Sequence, residues 1–336
     1  MNLGQWDKAL AENQEFVRLW PDHVATYVNL AGTYLALNRL EEAKAVCDEA
    51  LAHKLDSGIL RQGIYTIAFL QGNAAQMEQQ LAWAEGKPGD EDVMLSAQSD
   101  TEAYYGRMGK ARDFSRRAVE SAIRADAKET AALWQVNAAL REAEVGNTGA
   151  AKQGVAAALA LSSGRDVKVA AALTLAQIGE ASRATALAEE LGKSYPVNTL
   201  LKSYSLPAIH ASVQISKNDG SQAIADLEPA TPYELGLAGT YMSFLYPVYV
   251  RGQAYLSLHN GTAAAAEFQK LLDHRGIVTN FVTGELAHLQ IGRAYAMAGD
   301  TAKAKAAYQD FLTLWKDADP DIPILKQAKA EYAKLQ

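Results

Sequence analysis

Few residues in this chain could do chemistry, and they are scattered. Gly192-Lys193-Ser194 has the tail of a phosphate-binding loop, where backbone N–H groups and a lysine cradle phosphate, but Leu187 stands where the opening glycine belongs. Asp113-Phe114-Ser115 has two residues of an Asp-Phe-Gly metal motif, yet lacks its glycine, sits mid-helix and follows no His-Arg-Asp loop. Asp273-His274-Arg275-Gly276 reads as a helix C-terminus, where His and Arg favour the negative end of the dipole. The six histidines (His23, His53, His210, His259, His274 and His288) show no metal-ligand spacing. The lone Cys47 excludes an intramolecular disulfide and a Cys-based metal site. No His or Lys/Arg cluster flanks it to depress its pKa, so it reads as a packing residue. Asn260-Gly261-Thr262 matches a glycosylation sequon but reads better as a turn. No catalytic, cofactor-binding or metal-binding residue is assigned, and the chain is expected not to be an enzyme.

The elements that carry these residues follow a helical period. In Leu286–Trp315, Ile291, Ala294, Tyr295 and Ala298 recur at one helical face, and Ala304, Ala307, Tyr308, Phe311 and Trp315 repeat the spacing. Between them, Gly299 supplies a left-handed helix end, and Asp300 or Thr301 caps the next helix. Gly292 and Ala304 let two backbones approach where Tyr295 and Tyr308 fill the space beside them. This hairpin closely resembles the tetratricopeptide repeat (TPR), whose signature is a Leu-Gly-x-x-Tyr core in helix A and Ala…Phe…Ala in helix B. The resemblance implies an all-α fold: a right-handed TPR superhelix of about eight and a half helix-turn-helix repeats with a C-terminal capping helix.

Composition agrees. The chain has 336 residues, 49% of them hydrophobic, and only 9 prolines, so a large helical core is expected. Its net charge is −7 without a dense Lys/Arg block, which argues against nucleic acid as a partner. The start, Met1-Asn2-Leu3-Gly4-Gln5-Trp6, lacks the pattern of a signal peptide. The longest uncharged run, Leu235–Val250, has 16 residues, short of the roughly 20 that span a bilayer, and reads as a buried helix pair.

The turns between helices A and B fall at Gly4, Asn38, Gly72, Gly109, Gly146, Gly179, Asn218, His259-Asn260-Gly261 and Gly299. Successive gaps are 34, 34, 37, 37, 33, 39, 41 and 40, close to the TPR period and longer towards the C-terminus. One solenoid over 1–336 is expected: a truncated first repeat at 1–21, repeats at 22–56, 57–92, 93–128, 129–165, 166–198, 199–230, 231–280 and 281–318, and a cap at 321–336. The first repeat has only its helix B, so Trp6, Leu10 and Val17 are expected to stay exposed for an upstream helix. Middle repeats, rich in small core residues, are expected to be the softest part, and Pro207 is expected to open or kink a helix. In the cap, Ile322, Leu325, Ala328 and Tyr332 face inward and Lys326, Lys329 and Lys334 face water.

The C-terminal part, Tyr246–Gln336, further resembles the tail of bacterial TPR proteins, including those fused behind a serine/threonine kinase domain. Its carriers are Tyr249–Leu256, Phe268–Gly276 and Tyr308–Asp321. That resemblance implies an upstream kinase or DNA-binding domain in relatives, and a signalling role. It places the repeats in the cytoplasm, or in the periplasm if tethered behind a membrane span. Two function classes follow: a non-catalytic scaffold binding a peptide or partner helix, and a regulatory or sensory region of a larger kinase or transcriptional regulator. A clamp for an acidic chaperone tail is not expected, since Asn29 is present but Ile59 and Gly63 replace the basic pair that would grip a carboxylate. A ligand groove is expected on a second face of two late helices: Tyr246, Tyr249, Gln253 and Leu256, beside Leu286, Leu289, Arg293 and Met297. The competing expectation is that the final helix or Thr231–Leu245 covers this wall.

Overall fold

The computed structural model describes residues 3–237 and 244–335, and every regular element among them is helical. α1 (Trp6–Leu19) stands alone, and α2 (Val24–Ala36) with α3 (Leu40–Ala52) forms the first full hairpin. α4 (Gly58–Leu70) pairs with α5 (Ala74–Ala84), α6 (Glu91–Tyr104) with α7 (Met108–Arg124), and α8 (Lys128–Glu144) with α9 (Thr148–Leu161). α10 (Arg165–Gln177) pairs with α11 (Ala181–Ser194), and α12 (Leu206–Ser216) with the short α13 (Gly220–Asp226). Then come α14 (Tyr246–Ser257) with α15 (Gly261–Asp273), the single turn α16 (Arg275–Val278), α17 (Val282–Met297) with α18 (Thr301–Leu314), and α19 (Pro323–Ala333). The fold is an all-α helical repeat solenoid. No helix among the described residues is long and apolar enough to cross a membrane. Of the run Leu235–Val250, residues 238–243 lie outside the described residues, and Tyr246–Val250 opens α14 fully buried.

Turn chemistry sets the hairpins. Asn38, Gly72, Gly146, Gly179, Asn218, His259 and Gly299 all adopt positive φ, and Asp300 Oδ1 caps α18 by accepting from Lys303 N at 3.1 Å. One turn differs from its expected place. The chain reverses at Gly106 (φ 71°), while Gly109 lies inside α7. Gly106 ends α6 with its N–H on Ala103 O and the Arg107 N–H on Glu102 O, so the first four turns recur every 34 residues. Pro207 sits in the first turn of α12, where its missing N–H costs nothing, and Leu201–Ser205 before it wind as a π-helical turn. Small residues face large ones as expected: a Cβ on Gly252 would lie 2.6 Å from the Phe268 ring, and one on Gly292 would lie 2.9 Å from Tyr308.

The solenoid also closes on itself. One core cluster joins Trp6, Ala36, Ala103, Met108 and Val145 from the early helices to side chains from α14 to α19. Polar contacts stitch the same seam. Asn38 Nδ2 donates to Asp273 O at 2.7 Å, and Gly276 N–H donates to Asn38 Oδ1 at 2.8 Å. Asn280 Nδ2 reaches Ala97 O at 2.8 Å and Thr101 Oγ1 at 3.0 Å. Trp315 Nε1 donates to Tyr104 O at 2.9 Å, Asp319 N to Gly106 O at 3.0 Å, and Ile324 N to Val145 O at 3.2 Å. The last three acceptors sit at the C-terminal ends of α6 and α8, where the final helical carbonyls lack intrahelical partners. The late hairpins therefore cap the early ones.

Closure corrects the reading of the first repeat. Trp6 is buried, not exposed, and its Nε1 donates to Leu235 O at 2.8 Å; Leu10 and Val17 pack partly buried against the α2–α4 cluster. The large apolar side chains left exposed near this end, among the described residues, are Leu3, Phe16, Leu19 and Trp20. Gly276 is the tightest point of the seam, since a Cβ there would fall on the Leu35 carbonyl oxygen. Gly276→Ala is expected to destabilise by about 1–3 kcal/mol, read as a lower urea midpoint, as overpacking a fitted contact does. An unchanged midpoint would contradict that contact.

Candidate ligand groove and the closed interior

The expected late groove is largely interior. Tyr246, Leu286 and Leu289 have no exposed surface and Tyr249 is 1% exposed. Tyr246 OH donates to Glu144 Oε1 at 2.5 Å and accepts from Gln177 Nε2 at 2.9 Å, so α8 and α10 occupy the space a ligand would need. Arg293 is taken by α19, with Nε and Nη2 donating to Glu331 at 2.9 and 3.0 Å. Gln253 and Leu256 are half-buried, and Met297 is exposed. The cover comes from two directions: the final helix reaches Arg293, while the tyrosines are sealed by helices about 70 to 100 positions earlier.

A charged cluster that the sequence reading missed lies beneath the seam. Arg141 on α8 pairs with Asp100 on α6, both buried, and its Nη2 also donates to Ser99 Oγ at 2.8 Å and Ser115 Oγ at 2.6 Å. Asn137 Nδ2 adds a 3.2 Å bond to Asp100. Burial pushes the Asp100 carboxyl above its usual range, while Arg141 and Asn137 pull it back. The middle repeats are thus built on more than alanine, and Trp134, buried in α8, donates to Asp92 Oδ2 at 2.7 Å.

An open groove does exist, on the early helices. Val28, Ala31, Gly32 and Leu35 of α2 face Ile59, Gln62, Gly63 and Thr66 of α4 across a cavity of about 180 Å³. A Cβ built on Gly32 or on Gly63 meets nothing within 4 Å, so the backbone of both walls is open to the cavity. Ile59 is 59% exposed at its rim, and α16 sits against the Leu35 end through Gly276. Cys47 lines the floor; burial pushes its thiol up to about 12, so it stays protonated and unreactive at neutral pH. The pocket is apolar, with one amide and one hydroxyl as handles.

The remaining motif residues fall on helices. Gly192-Lys193-Ser194 ends α11, and Asp113-Phe114-Ser115 lies within α7, with Asp113 bonded to Arg116 and Ser115 to Ser99. His274 caps α15, its Nδ1 2.8 Å from Lys270 O. Among the described residues, no group of three or more His, Cys, Asp or Glu side chains could hold a metal.

Comparison with known proteins agrees with this geometry. A family model of the tetratricopeptide repeat matches residues 1–62. No curated protein matches the chain. Among solved structures, the human IFIT1 dimer with PPP-AAAA is similar over 99% of this chain and 78% of that one, at 18% identity and a TM-score of 0.52. Yeast Tom70 is similar over 99% of this chain and 85% of its own, at 11% identity and a TM-score of 0.44. The P58(IPK) TPR domain is similar over 99% and 94%, at 15% identity and a TM-score of 0.31. Residues 1–62 thus carry tetratricopeptide-repeat sequence, and the described residues beyond them continue as an all-α solenoid of stacked helical hairpins.

Proposed function

We propose that the chain is a non-catalytic protein–protein interaction scaffold that takes an extended, largely apolar peptide segment between α2 and α4. The observation that carries this reading is the pairing of Gly32 and Gly63 on facing walls beside the exposed Ile59. Missing side chains there expose helix backbone and leave room for a ligand to lie close. Human IFIT1 holds PPP-AAAA in its structure, but RNA is disfavoured here. This chain carries a net charge of −7, and its closed interior holds carboxyl groups, including Glu144 and Glu285. The regulatory role behind an upstream kinase stays a second proposal, resting on the residues of Tyr246–Gln336.

The test is to fill the groove. Gly32→Leu with Gly63→Leu puts two side chains into open space while raising helix propensity by up to about 0.8–1 kcal/mol per site. Peptides selected from a random display library on the unmodified chain are expected to bind the double variant at least about tenfold more weakly, which is roughly 1.4 kcal/mol. The melting temperature should hold or rise. Equal affinity for both proteins, or no peptide selected, would overturn the site.

A further inference from the structure

Two carboxyl groups sit in the seam, and the scaffold reading does not use them. Glu144 ends α8, and the Tyr246 hydroxyl donates to it at 2.5 Å. The Tyr249 hydroxyl faces it from the same helix, held in turn by Gln290 of α17 at 3.4 Å. Arg141 on its own helix is committed to Asp100, and Arg293 of α17 to Glu331. Glu285 on α17 has no exposed surface, and its oxygens make no well-formed hydrogen bond among the described residues, with the Tyr104 hydroxyl beside them. Tyr104 and Tyr105 face it from the end of α6, the solvent-exposed Arg275 from α16 and Asp310 from α18; burial lowers the pKa of His288 on its own helix, against Asp310. An enclosed carboxylate with so little compensation is strongly disfavoured, whereas a carboxylic acid is tolerated.

We propose that the seam is a proton-dependent closure: with protons on Glu144 and Glu285 the late hairpins stay docked on α6 and α8, and losing those protons releases them. Burial raises Glu144 from 4.5 to about 7, against the two tyrosine hydroxyls. It raises Glu285 to about 9, with Asp310 adding to the rise and Arg275 and Tyr104 opposing it. Once released into water, both groups return to the ordinary carboxylate range. The docked form then holds more protons, so docking weakens as pH rises. It is complete below 4.5, declines through about 7 as Glu144 ionises, and declines further towards about 9 as Glu285 follows. Release would bare Thr101 and Tyr104 at the end of α6, where a partner helix could replace the late hairpins, and would free Tyr246 and Tyr249 on α14.

The closure depends on the seam and not on the α2–α4 groove, so the two proposals fail separately. The full chain is measured by small-angle X-ray scattering at pH 5, 7 and 9, with helicity followed by circular dichroism. The expected result is a larger radius of gyration at high pH with unchanged helicity. Glu144→Gln with Glu285→Gln mimics the protonated pair and should keep the pH 5 dimensions throughout. Should the pair fail to fold, the single variants still decide. Glu144→Gln should move the expansion from near pH 7 towards 9, and Glu285→Gln should leave it near 7. No expansion in the unmodified chain, or the same expansion in every variant, would overturn the proposal.

Discussion

Replacing Asp100 by alanine is expected to cost about 3–5 kcal/mol, the loss seen when one partner of a buried ion pair is removed. The reason lies in what remains. The Arg141 side chain is only 5% exposed and keeps the Ser99 and Ser115 hydroxyls, but these cannot neutralise a guanidinium that has lost its counter-charge. Native stabilities are commonly about 5–15 kcal/mol, so the loss would be visible in any denaturation profile. Asp100→Leu combined with Arg141→Met should recover most of it, because two well-packed apolar side chains avoid desolvating either charge. A urea-denaturation double-mutant cycle reads both effects. A single-variant loss under about 1 kcal/mol would mean that water reaches the pair.

Trp315→Ala should be comparably severe, at about 3–5 kcal/mol. Trp315 is 2% exposed, packs tilted against Phe311 with ring centroids 4.7 Å apart, and lies under the turn at Gly106, where a Cβ would come within 2.8 Å of its ring. Truncation would leave a cavity and strip the Tyr104 carbonyl of its donor. Trp315→Phe keeps most of the volume and isolates the hydrogen bond, so it should lose only about 1–3 kcal/mol. Hydrogen exchange separates this from a local effect. Amides near the end of α6, some 210 residues earlier, should lose protection along with those of α18. Loss confined to α18 would contradict the bridge.

The contrast between these positions shows what the sequence makes legible. Helices and turns follow from short-range chemistry: period, Gly or Asn at positive φ, and an Asp300 or Asn260 cap, all decided within a few residues. Even the misplaced turn, Gly109 for Gly106, is an error of three residues between two glycines. Asp100, Arg141 and Glu285 gave no local signal, since a charged residue on a helical stripe reads as a solvated one until something far away covers it. The tyrosines of α14 were misplaced for the same reason: the side chains that meet their hydroxyls, Glu144 and Gln177, come from other repeats, while Tyr249 also packs on Phe268 within its own hairpin. In the α2–α4 groove, Gly63 was noted only as a missing basic residue. Its importance as open backbone requires knowing that Gly32 faces it.

The bridge from Trp315 to the end of α6 bears on how such a chain can change over time. An open stack of hairpins can gain or lose a unit by duplication or deletion, because each unit meets only its neighbours. Here the end of α18 must arrive at the turn after α6, and α19 at the turn after α8. One extra hairpin between them would carry Trp315 past Tyr104 and leave both partners stranded. The number of repeats is therefore locked by geometry, and this lineage should vary by substitution and loop length while its count of hairpins stays fixed.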